Sequence, residues 1–119
     1  MKTPLGIMTA TLVGFIALGL TSVPTTTVQG ADGKELFREY CKTCHAADSP
    51  HGEYTPMSLI QDQWTRFFER KYVRSHKDVI DEKHGGKPVT ETISPEDLEL
   101  IKAFSIKGAA DSEHPMTCG

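Results

Sequence analysis

The stretch EYCKTCHAAD places two cysteines three positions apart, Cys41 and Cys44, and a histidine, His45, directly after the second. Three kinds of site contain such a group: a redox-active dithiol, half of a zinc site, and the attachment point of a covalently bound haem. Each of these sites requires different partner residues and a different fold around the cysteines. Features elsewhere in the sequence therefore discriminate among the three kinds of site.

The first thirty residues have the order of a secretory signal. Lys2 stands before the apolar run LGIMTATLVGFIALGL, and the small polar stretch TSVPTTTVQG ends the segment. We expect cleavage close to Ala31 and export to the periplasm, with no stable membrane insertion of the mature chain. An uncleaved anchor is the alternative, because the apolar run is near the lower length limit of a membrane span.

Removal of residues 1–30 leaves residues 31–119, enough for one small domain with a limited core. A domain of this size usually needs a disulfide, a metal or a large cofactor for stability. Lys2 is the only charged side chain removed, so 12 basic and 16 acidic residues remain, a net charge of −4. This mild acidity argues against nucleic acid as a partner and makes a basic protein patch the easier docking surface.

The chain has three cysteines, and an odd number cannot pair completely within one molecule. Thiols of exported proteins are usually oxidised or otherwise occupied. If Cys41 and Cys44 act together, Cys118 is left over. We expect it to form either an intermolecular disulfide with a second copy or a free thiol on a mobile tail.

The surrounding sequence favours haem attachment over the other two sites. A thioredoxin-like dithiol follows a strand, whereas GKELFREY, which precedes Cys41, has the pattern of a helix. A zinc site needs four ligands, and no second ligand pair stands at zinc-finger spacing. In C-x-x-C-H, both sulfurs can form thioethers with one haem while His45 reaches its iron. The sequence therefore predicts one covalently bound haem c.

Helical periodicity dominates the mature chain. In SLIQDQWTRFFERKY, Ser58 and Gln61 have capping-box spacing and precede an aromatic stripe that includes Trp64, a candidate wall of a haem crevice. In SPEDLELIKAFSIKG, Ser94 and Pro95 are typical of a helix start. The stretch SHKDVIDEKHGGKPVTET between them is predicted to be a loop. With GKELFREY, the sequence predicts an all-α fold of about three helices and an irregular tail from about residue 109.

From about residue 31 to residue 108 the chain resembles a small exported class I cytochrome c with a single haem. The family pairs an N-terminal helix carrying Gly-x-x-x-Phe with an aromatic residue on the last helix, and Gly33, Phe37 and Phe104 stand at the matching positions. The resemblance also implies that the carbonyl of Pro56 accepts the imidazole N–H of His45. Such a contact orients the ring and strengthens it as a donor to iron.

The chain departs from the family pattern at the distal, or sixth, iron ligand. The family usually supplies a methionine between its middle and last helices, and residues 61–115 contain none. We predict His84 as the first choice because of its place in that interval, followed by His76 and then by Met116. A vacant or water-bound position is the remaining alternative.

The resemblance implies a periplasmic one-electron carrier rather than an enzyme, with unidentified redox proteins as partners. A second histidine on the iron gives a lower potential than methionine does. Two alternatives stay open. A weak or absent sixth ligand would suit a haem-based binder or sensor of small gases, and the chain could instead be the electron-transfer subunit of a larger respiratory complex.

Overall fold

The computed structural model describes residue 30 and residues 32–117, which are mostly helical and include a small two-stranded sheet. The predicted signal segment, its cleavage position and Cys118 lie outside the described residues. Within the described part of the chain, no helix is both long enough and apolar enough to cross a membrane.

The first helix, α1, covers residues 33–44 in three successive segments. It is α-helical over Gly33–Leu36, π-helical over Phe37–Cys41 and α-helical again over Lys42–Cys44. The side chain of Asp32 caps its start by accepting a hydrogen bond of 3.2 Å from the backbone N–H of Lys34. Single π-helical turns inside helices are frequent at functional sites, and this one contains the first cysteine.

The second helix, α2, covers residues 61–76 and has the same internal plan. It is α-helical over Gln61–Arg66, π-helical over Phe67–Lys71 and α-helical over Tyr72–His76. His76 is therefore the last residue of α2.

The predicted capping box at the start of α2 is wrong. Ser58 ends a short 3₁₀ turn, Pro56–Ser58, where its hydroxyl accepts a hydrogen bond of 2.8 Å from the N–H of Thr55. The helix begins at Gln61, whose N–H donates to the carboxylate of Asp111 at 2.8 Å. The acceptor comes from the C-terminal tail, fifty positions away, so local spacing does not reveal it.

A short β-hairpin occupies part of the segment predicted as a loop. Strand β1, Ile80–Asp81, pairs antiparallel with β2, Lys87–Pro88, and a 3₁₀ turn, Glu82–His84, lies between them. Gly85 and Gly86 have φ values of 105° and 67°. Glycine adopts this left-handed backbone without steric cost, which explains the Gly-Gly pair at the turn.

The last two helices are α3, Val89–Thr92, and α4, Pro95–Lys107. The predicted start of α4 is confirmed, because the hydroxyl of Ser94 accepts a hydrogen bond of 3.1 Å from the N–H of Asp97. Gly108 ends the helix, as predicted, and the residues after it form turns and irregular backbone.

Helices α1 and α4 cross at the glycine that the resemblance singled out. A Cβ atom added to Gly33 would overlap the backbone carbonyl of Leu100 and lie 2.9 Å from Cβ of Phe104. The rings of Phe37 and Phe104 meet edge to face with centroids 5.6 Å apart. This crossing begins a buried core of Leu36, Phe37, Tyr72, Val89, Ile93, Ile101 and Phe104.

Replacing Gly33 by alanine is expected to lower the free energy of unfolding by about 1–3 kcal/mol, because neither Leu100 nor Phe104 can move away without shifting a helix. Urea denaturation followed by circular dichroism measures the change. The exposed Arg38→Ala variant on the same helix serves as the control and should stay within about 0.5 kcal/mol of the unmodified protein. Equal stability of the two variants would contradict the close crossing.

Candidate functional site

A cavity of about 910 Å³ opens between α1 and α2 and reaches α3 and α4. Its volume is near the upper end of the range of about 300–1,000 Å³ that is usual for small-molecule and cofactor sites. Cys41, Cys44 and His45 all lie on its wall. Its aromatic lining consists of Phe37, Tyr40, Tyr54, Trp64, Phe67, Phe68 and Tyr72.

The end of α1 brings the two cysteines and the histidine to one side of the helix. Residues three and four positions apart are neighbours on a helical surface, so Cys44 and His45 stand next to Cys41. The N–H of His45 still donates to the carbonyl of Cys41 at 2.9 Å, which extends the helical turn to the histidine. The hydroxyl of Ser49 then donates to the carbonyl of Cys44 and holds the following loop against the helix end.

The imidazole of His45 has a defined tautomer. Its Nδ1 lies 3.0 Å from the carbonyl oxygen of Gly52. Because a carbonyl oxygen only accepts, Nδ1 carries the proton and Nε2 keeps a free lone pair. Gly52 has a φ of 82°, a conformation that favours glycine, so the turn that presents this carbonyl depends on residue type.

The predicted contact between Pro56 and His45 is not formed in the structure. The carbonyl of Pro56 accepts a hydrogen bond of 2.7 Å from the indole Nε1 of Trp64 instead. Trp64 is only 4% exposed, and a buried indole N–H requires an acceptor. The backbone carbonyl on the imidazole therefore comes from Gly52, while Trp64 lies on the cavity wall as predicted.

The environment of Cys41 does not suit the reactive thiol of a redox dithiol. Burial, together with the neighbouring thiol of Cys44, raises the pKa of Cys41 to about 12. Reactive cysteines have lowered pKa values, because the thiolate is the nucleophile. Among the described residues, no group of three or more His, Cys, Asp or Glu side chains is arranged to hold a metal ion, whereas a zinc shell takes four ligands.

His76 lines the same cavity as His45, and the two rings approach each other there. The centroids of the two rings are 6.2 Å apart and their planes are inclined by 70°. Nδ1 of His76 lies 2.9 Å from the carbonyl of Tyr72, so that nitrogen donates and Nε2 keeps its lone pair, as in His45. Burial, opposed by the Tyr72 carbonyl and assisted by His45, lowers the pKa of His76 and favours the neutral ring.

His84, the first predicted distal ligand, does not line the cavity, and both of its ring nitrogens are occupied. Nδ1 lies 2.8 Å from the carboxylate of Asp81 and Nε2 lies 2.6 Å from that of Glu39. These contacts, with Glu39 contributing most, raise the pKa of His84. With both nitrogens engaged by carboxylates, His84 has no free nitrogen for a metal in this arrangement, so the geometry favours His76 over His84 as the distal candidate.

Met116, the third predicted distal ligand, also lies away from the cavity wall. Its N–H donates to the carbonyl of Gly108 at 3.0 Å, which folds the tail back onto the end of α4. A Cβ atom on Gly108 would lie 2.8 Å from Cε of Met116 and 2.7 Å from Cβ of Pro56. The thioether therefore packs beside Pro56, and Gly108 leaves the space that it fills.

Tyr72 is a site residue that the sequence did not reveal. Its side chain is 6% exposed, it lines the cavity, and its hydroxyl has no hydrogen-bond partner. Its ring stacks on His76 with centroids 5.0 Å apart. Burial raises the pKa of Tyr72 to about 12, with a smaller contribution from Cys41. Buried polar groups are normally paired, so this unpaired hydroxyl fits a cavity that takes a ligand.

The cluster around His84 is expected to make stability depend on pH. The pKa of His84 is raised above its usual value of 6.5. The stability that its charge contributes to the folded protein is therefore complete below pH 6.5 and is lost as the pH rises through the raised pKa. Lys83 and His84 lower the pKa of Glu39 below its usual value of 4.5. The stability contributed by the Glu39 carboxylate is therefore complete above pH 4.5 and is lost as the pH falls through the lowered pKa. His84→Gln should therefore destabilise most between pH 4.5 and 6.5 and much less at about pH 9.

Urea midpoints of the unmodified protein and of His84→Gln across this pH range test the expectation. His114→Gln, at an exposed position in the tail, is the matched control and should show no such window. A deficit of His84→Gln that stays constant from pH 5 to about pH 9 would show that the charge of the imidazole is not involved.

No protein-family model, no curated protein and no solved structure matches the chain. The geometry of the cavity and the chemistry of its wall are therefore the basis for a proposed function.

Proposed function

We propose that the protein binds one haem c covalently through Cys41 and Cys44 and carries single electrons between redox proteins of the periplasm. His45 is the proximal iron ligand and His76 the distal one, in an arrangement like that of a class I cytochrome c. The observation that carries the proposal is the pair of imidazoles on the wall of one cavity, 6.2 Å apart, each with Nδ1 on a backbone carbonyl and with no hydrogen-bond partner for Nε2 among the described residues.

The spacing of the two rings fits one shared metal ion. Each ligating nitrogen lies about 2 Å from a metal and the centre of its ring about 1 Å further, so two rings on opposite sides have centroids about 6 Å apart. The observed separation is 6.2 Å. The aromatic lining and the unpaired hydroxyl of Tyr72 suit a large, mostly apolar group that carries a few polar atoms.

Haem supplies the one-electron redox chemistry, and the chain supplies its ligands, orientation and surroundings. Carbonyls on Nδ1 fix both imidazoles and increase their basicity. Two such donors stabilise ferric iron more than a histidine and a methionine do, which supports a low potential. With two side chains in place as ligands, little has to rearrange when the electron moves.

The position of His76 favours a carrier over a gas sensor. A sensor needs a weak or vacant sixth position, whereas His76 is the last residue of α2 and is held there by its own helix through the carbonyl of Tyr72. The proposal of a covalent dimer through Cys118 concerns a residue outside the described part of the chain, and nothing in the cavity depends on it.

Visible spectra of the purified protein in both redox states test the proposal. We expect low-spin haem c bands in both states, no charge-transfer band of a methionine-ligated ferric haem, and pigment that acid acetone does not extract. The midpoint potential should be low. A colourless protein, or one whose pigment is extracted, would overturn the proposal, and a clearly positive potential would exclude the second histidine.

A further inference from the structure

The mouth of the cavity carries a charge opposite to that of the whole protein. A residue that both lines the cavity and is exposed stands at its mouth, and four basic residues of α2 meet this description: Arg66, Arg70, Lys71 and Arg74. The lining contains a single carboxylate, Asp81, which is buried and engaged by His84. The chain as a whole has a formal net charge of −3.

Three of these four cations have no acidic partner among the described residues. Arg66 forms an ion pair with Asp62 one helical turn before it. The ion pairs of the described residues leave Arg70, Lys71 and Arg74 without a carboxylate within reach. Arg74 is four positions after Arg70 and three after Lys71, so it is a helical neighbour of both, and all three line the cavity; they form one positive patch at its mouth.

Apolar side chains also stand at the mouth of the cavity. Val79 and Ile80, at the start of the hairpin, line the same cavity and are 37% and 45% exposed. An apolar centre with charged side chains at its edge is the usual composition of a protein–protein contact. Such a contact at the mouth would place a partner as close to the cavity contents as the fold allows.

We infer that a protein partner with a carboxylate-rich face docks at the mouth of the cavity, on Arg70, Lys71 and Arg74 beside Val79 and Ile80. The inference extends the proposed electron transfer by naming the contact surface and the charge of the partner. It also reverses what the net charge suggests, since an acidic protein would be expected to select a basic patch. Local charge directs an encounter at short range, because salt screens charges more than about 8 Å away at physiological ionic strength.

The test uses the purified full chain as secreted, labelled with ¹⁵N and titrated with decaglutamate at an ionic strength of about 0.01 M and of about 0.15 M. We expect amide shifts confined to the second half of α2 and to Val79–Ile80, and weaker binding at the higher salt. The double variant Arg70→Gln/Arg74→Gln should weaken binding about tenfold at low salt. Glutamine is a good helix former, and circular dichroism checks that α2 is kept.

The matched control is Arg38→Gln/Lys107→Gln, which removes the same charge at exposed positions that do not line the cavity. It should leave the affinity within about twofold of the unmodified protein, and decalysine should not shift the mouth residues. Equal weakening by both double variants, preferential binding of decalysine at the mouth, or no binding of decaglutamate at low salt would each overturn the inference. These outcomes are read from amide shifts, whereas a failure of the proposed function is read from the colour and the visible spectrum, so the two failures are distinguishable.

Discussion

Replacing both Cys41 and Cys44 by serine is expected to give a secreted chain that is colourless and largely unfolded. The cavity of about 910 Å³ lies at the centre of a small domain, and several of its aromatic walls also belong to the core. A chain this short stays folded by a margin of about 5–15 kcal/mol at most. Loss of a large covalent occupant should lower the free energy of unfolding by a similar amount, because the apolar walls of the cavity would then face water.

Absorbance at the haem bands and far-ultraviolet circular dichroism of the double cysteine variant measure the two losses. Cys118→Ser is the matched control, since it removes a thiol of the same chain outside C-x-x-C-H, and it should keep both pigment and helix content. A double variant at positions 41 and 44 that remains coloured would contradict covalent attachment. One that is colourless but fully folded would contradict the structural role of the occupant.

Replacing His76 by alanine is expected to open the sixth position of the iron. The ferric spectrum should change from low-spin to high-spin, and carbon monoxide should bind rapidly and completely to the ferrous variant while the unmodified protein stays inert. The reason is that the His76 ring lies 6.2 Å from that of His45 on the cavity wall, and its Nδ1 is engaged by the carbonyl of Tyr72, which leaves Nε2 as the nitrogen for the iron. His76→Met should keep the low-spin state and raise the midpoint potential.

His84→Ala is the control for this experiment and should leave both the spin state and the carbon monoxide response unchanged, because His84 lies outside the cavity lining between Asp81 and Glu39. Met116→Leu should be equally silent. If His84→Ala produced the spectral change and His76→Ala did not, the order predicted from the sequence would be restored and the geometric assignment would fail.

Features of the fold that depend on local sequence could be predicted well. Ser94 and Pro95 set the start of α4, and both the capping contact and the helix are present. The close crossing at Gly33, which the resemblance implied rather than local spacing, is also present. The start of α2 could not be predicted in this way, because its capping carboxylate, Asp111, belongs to the tail.

The hairpin was missed for a different reason. Its strands, Ile80–Asp81 and Lys87–Pro88, are two residues each, which is too short for the alternation that identifies a strand. The Gly85–Gly86 pair correctly indicated a turn, although the sequence did not show that the chain pairs on either side of it.

In the candidate site, too, the features set by neighbouring residues could be predicted and those set by distant contacts could not. The cysteines and His45 are adjacent in the chain, and the structure places all three on one cavity wall. The order of the distal candidates depended on contacts between residues far apart in the chain. The carboxylate of Glu39, 45 positions away, forms a hydrogen bond with Nε2 of His84. The resemblance assigned the carbonyl of Pro56 to His45. The buried indole N–H of Trp64 donates to that carbonyl instead.

The π-helical turn Phe67–Lys71 has a consequence for the direction in which His76 points. Each residue of a helix rotates the next side chain by about 100°, so the wider turn sets the angular phase of everything after it on α2. Tyr72 and His76, four positions apart, share one phase and both face the cavity. A single-residue deletion within this turn would swing both side chains through that angle while every amino acid at the proposed site was kept.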